Sequence, residues 1–224
     1  MKFKGMIFDL DGTLLDTIDD LSDSMNAVLA NLGFTGHTVP DYKRFVGDGL
    51  KKLVIRSLPD GASESLILRA QKMMKREYYF RCLKKTRPYR EIPEALEILT
   101  SHGVKLAVFS NKPDALTKKL IKHLLPGKYF EIVAGQKRGV PLKPDPAGAL
   151  NMSALLGIAP KEILYLGDSS VDMMTAKAAG MFGAGALWGF RTREELLESG
   201  AGELFGSPCE AAVYVCDNTN GGFK

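Results

Sequence analysis

The chain has 224 residues, of which 45% are hydrophobic and 25% charged, as is typical of one sizeable globular domain or a core domain with a smaller insertion. No apolar run approaches the length of a membrane-spanning helix, and three cysteines without metal-ligand spacing exclude a cysteine-based metal site and favour reduced intracellular thiols. The net charge of +4 conceals a basic segment, residues 43–90, but no nucleic-acid motif accompanies it, so it favours a small anionic substrate at most.

The first predicted element is a strand over residues 3–8, a short apolar run of the kind found in buried parallel sheets. Asp9 and Asp11 follow where that strand should end. Two carboxylates so close repel each other unless a cation opposes their charge, and Mg²⁺ prefers such oxygen ligands. We expect Gly12 and Thr13 to offer free backbone N–H groups in a turn that could hold a phosphate. The segment predicts metal-assisted phosphoryl chemistry on an aspartate, or alternatively an acidic turn that caps a helix.

The middle of the chain shows helical periodicity and no convincing strand from Asp16 to about residue 83. One predicted helix has Asp16 or Thr17 as its cap and stops at Gly33, and a longer one opens at Ser63. The segment Arg87-Pro88-Tyr89 is interpreted as the return linker. An all-helical insertion between the first and second strands is therefore predicted, with most of its basic side chains on solvated helical faces.

Beyond residue 88 the sequence alternates between short apolar runs and helical patterns. Strands are predicted at residues 104–109, 130–134, 163–166 and 183–187. Helices are indicated by the stripe Leu116, Leu120, Ile121 and Leu124, by the stripe Leu150, Ala154 and Leu155 after Pro144 and Pro146, and by residues 168–179. This alternation predicts an α/β fold, a doubly wound parallel sheet with the all-helical segment inserted. The tail, residues 218–224, is expected to fray.

Polar side chains follow four of the predicted strands. After Asp9 and Asp11, these are Ser110-Asn111-Lys112, Lys143 in the loop behind the third strand, and Asp168 with Asp172 behind the fourth. In an open parallel sheet, ligands bind beyond the carboxyl ends of the strands, so these groups should converge on one edge. Taken singly, each has a plain alternative: Ser110 could cap a helix, Asp172 could pair with Lys177, and Lys143 could lie on the surface.

This combination resembles the haloacid dehalogenase-like superfamily of phosphatases. The matching segments, in the order of the family, are 9–13, Ser110-Asn111, Lys143-Pro144, and Gly167-Asp168 with Asp172. The resemblance implies a Rossmann-like catalytic core of residues 1–15 and 88–224 and a mobile helical cap domain of residues 16–87. Segments 109–113 and 188–190 look most like those of phosphoglycolate phosphatases.

The resemblance also implies roles for individual residues. Asp9 would be the nucleophile that forms an aspartyl-phosphate, and Asp11 the general acid and base. Lys143 would neutralise charge on Asp9 and the transferring group. The implied substrate-binding residues are Gly12, Thr13, Ser110, Asn111 and Lys143. The implied Mg²⁺ ligands are Asp9, Asp11 through its backbone carbonyl, Asp168 and Asp172, the last orienting a metal-bound water.

The sequence thus predicts a cytoplasmic, Mg²⁺-dependent phosphatase, monomeric or homodimeric, that acts on a small phosphorylated metabolite. The first candidate substrate is 2-phosphoglycolate, and neither nucleic acid nor a membrane is expected as partner. A sugar phosphomutase and a nucleotidase or pyrophosphatase are alternatives on the same residues. A signalling receiver that accepts a phosphoryl group is an alternative from a different class, although it explains neither the helical insertion nor the second aspartate.

Overall fold

In the computed structural model, which describes residues 2–218, six parallel strands form one sheet with helices on both faces. The strands of this sheet are β1 (Gly5–Phe8), β4 (Lys105–Pro113), β5 (Phe130–Gln136), β6 (Ile163–Gly167), β7 (Phe182–Ala186) and β8 (Glu203–Phe205). Two further short strands, β2 (Leu15–Asp16) and β3 (Arg87–Pro88), form a separate pair. The helices are α1 (Ile18–Asn31), α2 (Val39–Phe45), α3 (Gly49–Ser57), α4 (Glu64–Arg81), α5 (Ile92–Ser101), α6 (Asp114–Leu124), α7 (Ala147–Leu156), α8 (Ser170–Ala178), α9 (Arg193–Glu198) and α10 (Pro208–Asp217). Most of the tail that was expected to fray lies outside the described residues.

The sheet has the strand order β5-β4-β1-β6-β7-β8. Strand β1 lies between β4 and β6 in parallel register, with Phe8 beside Val108 and Leu166. The chain first builds the sheet to one side of β1 and then crosses to the other side with β6. Because the order switches direction at β1, a crevice forms at the carboxyl ends of these three strands. The predicted doubly wound α/β fold is confirmed.

Strand β1 is buried on both faces of the sheet. Met6 and Phe8 join the hydrophobic core on one face, whereas Ile7 joins the core on the other. Successive side chains of a strand point to opposite faces, so a strand covered on both sides needs apolar residues throughout. Helices α5 and α10 pack against the first face and α7 and α8 against the second. Burial on both sides therefore explains the uninterrupted apolar run.

In the six-stranded sheet, two strands differ from their prediction. Strand β4 continues to Pro113 instead of ending at residue 109. Ser110, Asn111 and Lys112 therefore belong to the end of the strand and not to a loop. Strand β8 was not predicted, since it has three residues and only Phe205 among them is buried. A strand this short at the sheet edge gives no hydrophobic pattern to detect.

The apolar stripe predicted for α7 is wrong. Leu150 and Leu155 are 41% and 63% exposed, whereas Ala149, Met152 and Leu156 are buried against the sheet. The buried positions are spaced three and four residues apart, as a helix face requires. Apolar residues lie on nearly every side of this helix, so the sequence could not indicate which face packs.

Helices α1 to α4 form the helical insertion, which the chain enters through β2 and leaves through β3. These two short strands pair antiparallel, with Leu15 beside Pro88 and Asp16 beside Arg87. The return linker predicted at residues 87–89 is thus bonded to the entry segment. Among the described helices, none is both long and apolar enough to cross a membrane.

A buried carboxylate connects the beginning of the insertion to its end. Asp20, in the first turn of α1, accepts hydrogen bonds from the backbone N–H groups of Lys85 and Thr86 and from the Thr86 hydroxyl, at 2.8–3.1 Å. The longer helix α4 starts as predicted, since the N–H of Leu66 donates to the Ser63 hydroxyl at 3.3 Å. The insertion is therefore tied together close to its two points of attachment.

Candidate active site

Three aspartates meet in the crevice where the strand order switches. Asp9 follows β1, Asp168 follows β6, and Asp172 lies one helical turn further on, in α8. Each offers a carboxylate oxygen within 4.8 Å of the others, and all three residues are buried. Asp9 is 159 positions before Asp168 and 163 before Asp172 in the sequence. The sheet brings them together because their strands end at the same edge, as the sequence predicted.

Lys143 lies among these aspartates. Its Nζ donates to Asp9 and to Asp172, both at 2.7 Å, and to the Phe109 carbonyl at 3.3 Å. Lys143 is 4% exposed, so it is not a surface residue. The alternative pairing of Asp172 with Lys177 does not occur, because the second Asp172 oxygen accepts from the backbone N–H and hydroxyl of Ser169 at the start of α8.

Burial controls the charge of this cluster. It raises the pKa of Asp9 to about 7, despite the opposing effect of Lys143, and raises the pKa of Asp168 well above its ordinary value. Burial lowers the pKa of Lys143, but Asp172 and Asp9 outweigh that effect and hold it well above its usual range. Two of the three carboxylates thus bind one ammonium group, and the third, Asp168, accepts from the backbone N–H of Phe190 at 2.7 Å. A hard divalent cation with oxygen ligands, such as Mg²⁺, fits this donor set and its excess negative charge.

The turn after Asp11 differs from its prediction. The backbone N–H of Gly12 donates to the Leu15 carbonyl at 2.9 Å and that of Thr13 to the Leu10 carbonyl at 3.4 Å, so neither amide is free for a phosphate. The turn instead supports Asp168. Gly12 has a φ of 86°, and a side chain there would collide with the Asp168 carboxylate, so glycine is needed at this position.

Asn111 connects the crevice to two further segments. Its side-chain N–H₂ donates to the carbonyls of Gly47 and Lys143, both at 3.1 Å, and its oxygen accepts from the Lys143 N–H at 2.8 Å. Gly47 belongs to the turn between α2 and α3 in the insertion. Ser110, also buried, accepts from the Lys112 N–H at 3.3 Å and does not cap a helix.

Asp11 is not one of the three clustered aspartates and pairs with a lysine that received no role in the sequence analysis. The Nζ of Lys112 lies 2.8 and 3.0 Å from the two Asp11 oxygens and 4.5 Å from the centre of the Tyr78 ring. The Lys112 side chain is 3% exposed. The sequence did offer one indication that Lys112 belongs to the site, because it directly follows Ser110-Asn111. A lysine at the end of a buried strand has little access to bulk solvent.

A pocket of about 480 Å³, including its open mouth, lies between these residues and the helical insertion. The core lines it with Asp9, Asp11, Ser110, Asn111, Lys112, Pro113 and Leu116. The insertion lines it with Leu21, Val46, Gly47, Gly49, Leu50, Leu53 and Tyr78. One wall is therefore polar and the other mainly aliphatic, which suits a small ligand with one charged end.

The basic residues at the Gly47–Gly49 turn do not line this pocket. Arg44 pairs with Asp41 and Arg56 with Asp48, both at 2.5 Å, and Lys51 and Lys52 are exposed. The interpretation of these charges as solvated helical faces agrees with this arrangement.

One arginine of the core reaches the insertion outside the pocket. Arg191, after β7, donates to the carbonyls of Lys43 and Arg44 and to that of Val46 at 2.7 Å, all at the end of α2. These carbonyls belong to the last turn of a helix, where partners for hydrogen bonds are missing. The contact therefore caps α2 from the side of the core.

Comparison with known proteins agrees with this geometry. A model of the haloacid dehalogenase-like hydrolase family matches residues 6–186. Phosphoglycolate phosphatase of Aquifex aeolicus is 34% identical over 185 residues, which cover 83% of this chain and 85% of that protein. Phosphoglycolate phosphatase of Nitrosospira multiformis is 33% identical over 219 residues, which cover 96% of each chain.

A solved structure extends this likeness to the whole fold. The crystal structure of a candidate phosphoglycolate phosphatase from Lactobacillus delbrueckii subsp. bulgaricus matches with a TM-score of 0.90 and 31% identity, covering 96% of this chain and 99% of that one. The match includes the helical insertion as well as the sheet. The chain therefore belongs to the haloacid dehalogenase-like hydrolases, and it is a hydrolase of phosphoric monoesters.

Proposed function

We propose that this enzyme hydrolyses 2-phosphoglycolate to glycolate and inorganic phosphate through an aspartyl-phosphate on Asp9. The main support is the pocket beside Asp9 and Asp11, which the insertion lines on one side and whose volume of about 480 Å³ is typical of a site for a small molecule. Relatives that share a third of the sequence bear the name phosphoglycolate phosphatase, which supports this substrate.

In the proposed first step, an Asp9 oxygen attacks phosphorus in line with the ester bond, and the ester oxygen leaves with a proton from Asp11. In the second step Asp11 takes a proton from the water that hydrolyses the aspartyl-phosphate. Lys143, which is already bonded to Asp9, stabilises charge on the transferring phosphoryl group. The hydroxyl of Ser110 and the backbone of Asn111 hold the phosphoryl oxygens.

We assign a Mg²⁺ site to Asp9, Asp168 and Asp172, together with the backbone carbonyl of Asp11. Bound there, Mg²⁺ would offset the repulsion between a carboxylate nucleophile and a phosphate ester. Four aspartates, two lysines and one divalent cation have no net charge, and protonation of Asp11 leaves the site positive. An anionic substrate would then be attracted to this site.

We further propose that residues 16–87 act as a cap that closes over the substrate. Closure excludes bulk water and completes the pocket, since half of its lining comes from the insertion. The β2–β3 pair would serve as the hinge, because both connections to the core pass through it.

The test is a phosphate-release assay on 2-phosphoglycolate, hexose 1-phosphates, nucleoside monophosphates and pyrophosphate, with Mg²⁺ and again with EDTA. We expect 2-phosphoglycolate to have the highest kcat/KM and EDTA to abolish turnover. Asp9→Asn should reduce kcat by about 10³-fold or more without unfolding the protein, whereas Asp60→Asn in an exposed turn should leave it unchanged. Substantial hydrolysis by Asp9→Asn would remove the nucleophile assignment.

The same substrates, with analysis of the organic product as well as of phosphate, address the alternatives. Conversion of a hexose 1-phosphate to its isomer, without phosphate release, would identify a phosphomutase. Faster turnover of nucleotides or pyrophosphate would identify a nucleotidase or pyrophosphatase. The signalling receiver is excluded, because the chain belongs to a family of hydrolases.

A further inference from the structure

We propose that Lys112 selects the substrate by binding a carboxylate located next to the ester oxygen, which makes the enzyme specific for phosphorylated α-hydroxy acids. This inference rests on the proposed function and goes beyond it, because it names the group that distinguishes such substrates from other phosphate esters.

Lys112 is the one cationic side chain among the described residues that line the pocket. Lys143 is buried between Asp9 and Asp172 and serves the phosphoryl end. No basic residue of the insertion is among the described residues that line the pocket. A second negative charge on the substrate therefore has one candidate partner, at the boundary between the core and the insertion.

The distance from Asp11 determines where that partner acts. The Nζ of Lys112 lies within one hydrogen-bond length of the Asp11 carboxylate. If Asp11 donates to the ester oxygen, Lys112 is the cation paired with that donor. In a phosphorylated α-hydroxy acid, the carboxylate is attached to the carbon that bears the ester oxygen. The carboxylate of such a substrate would therefore lie close to the Asp11–Lys112 pair.

The surroundings strengthen such an ion pair. Lys112 lies over the Tyr78 ring, and the opposite wall includes Leu21, Leu50 and Leu53. An apolar wall lowers the effective dielectric constant, so a charge interaction there is stronger than in water. The same wall offers few partners for the hydroxyl groups of a sugar or nucleoside. The pocket thus favours a short acid over a longer polar ester.

A charge-removing variant provides the test. Lys112→Met keeps all but the terminal atom of the side-chain length and removes the charge. With 2-phosphoglycolate, we expect kcat/KM to fall by about 10- to 100-fold, mainly through KM, which corresponds to the loss of a charged hydrogen bond. With 2-hydroxyethyl phosphate, in which an alcohol replaces the carboxylate, we expect a change of less than about threefold. Lys112→Arg should recover part of the loss, since it restores the charge.

Lys119→Met is the matched control. Lys119 also lies over a tyrosine ring, 3.8 Å from the centre of Tyr79, and bonds the backbone outside the pocket. We expect both substrates to be unaffected. Circular dichroism checks that each variant is folded. The inhibition constant of glycolate, which should rise in Lys112→Met alone, reports binding of the carboxylate and does not depend on kcat.

The outcomes separate the two proposals. Equal losses on both substrates in Lys112→Met would mean that the lysine acts through Asp11, and would overturn the selection role while leaving the phosphoglycolate assignment intact. A wild-type enzyme that hydrolyses 2-hydroxyethyl phosphate but not 2-phosphoglycolate would overturn both.

Discussion

The pKa of two buried aspartates connects metal binding to stability. Asp9 and Asp168 have raised pKa values because burial disfavours their charged forms. Without metal, the folded protein holds more protons than the unfolded chain between the ordinary pKa of 3.8 and about 7 for Asp9. The free energy of unfolding should therefore decrease as the pH rises through this window.

We predict that Mg²⁺ reverses this trend. Since the cation competes with protons for the same carboxylates, its stabilising effect should be larger at pH 8 than at pH 6. At a Mg²⁺ concentration of about 100 Kd, the added free energy of unfolding is about 2.7 kcal/mol. Thermal unfolding with Mg²⁺ and with EDTA at both pH values measures this difference.

Asp168→Asn provides the control for that experiment. The variant removes one cluster charge and should lose most of the Mg²⁺-dependent increase in Tm. An equal increase at both pH values, or one retained in Asp168→Asn, would contradict the assignment of the metal to these aspartates.

Among the helices and strands, one side chain joins the first helix of the insertion to the last segment of the insertion. Asp20 accepts from three donors, the N–H groups of Lys85 and Thr86 and the Thr86 hydroxyl, and the Lys85 N–H is shared between its two oxygens. We predict that Asp20→Asn lowers the free energy of unfolding by about 2 kcal/mol, because the acceptor loses its charge and the amide N–H₂ replaces Oδ1 opposite the Lys85 N–H. Urea denaturation measures this loss.

Asp23→Asn is the matched comparison on the same helix. Asp23 pairs with the Lys85 ammonium at 2.8 Å, but its side chain is 41% exposed. Exposed ion pairs contribute little, so we expect a loss of less than about 0.5 kcal/mol. Similar losses in the two variants would show that Asp20 is not a special connection.

The elements with strong local patterns could be predicted from the sequence. The strands next to the crevice are uninterrupted apolar runs, and α4 begins at Ser63, whose hydroxyl accepts from the Leu66 N–H. The start of α1 was also predicted, although the Thr17 side chain does not cap it. Predictions were wrong where the pattern was ambiguous: α7 is apolar on most sides, so Leu150 and Leu155 were placed on the buried face although they are exposed. The register that pairs β2 with β3 depends on contacts between distant residues, which no local pattern reveals.

Much of the candidate site could also be predicted, because parallel strands of a doubly wound sheet present their carboxyl ends at one edge. This rule alone predicts that Asp9, Asp168 and the end of β4 lie close together in the folded chain. The direction of each side chain could not be predicted. The pairing of Asp11 with Lys112, and the use of the Gly12 and Thr13 amides within the turn, depend on neighbours that become adjacent only in the folded chain.

Considering the molecule as a whole, Arg191 connects the two parts of the chain at a distance from the pocket. The Arg191 guanidinium, on the core, donates hydrogen bonds to three backbone carbonyls of the insertion. These hydrogen bonds exist only when the insertion lies against the sheet. We predict that Arg191→Met raises KM for the substrate about tenfold, because part of the stabilisation of the closed form is lost. Steady-state kinetics and the rate of proteolysis within residues 43–50 measure this effect.

Arg193→Met, in an exposed position two residues further on, controls for the loss of a positive charge. It should leave KM and proteolysis unchanged. If Arg191→Met behaves like this control, the contact does not influence closure.

The antiparallel pairing of Leu15 with Pro88 has a consequence for how this enzyme could be re-engineered. The chain departs from the sheet and rejoins it at points separated by about one strand spacing, roughly 5 Å. A foreign helical module with equally close ends could replace residues 16–87 without stretching the scaffold. Chimeras made in this way would exchange the upper wall of the pocket while retaining the aspartates beneath it.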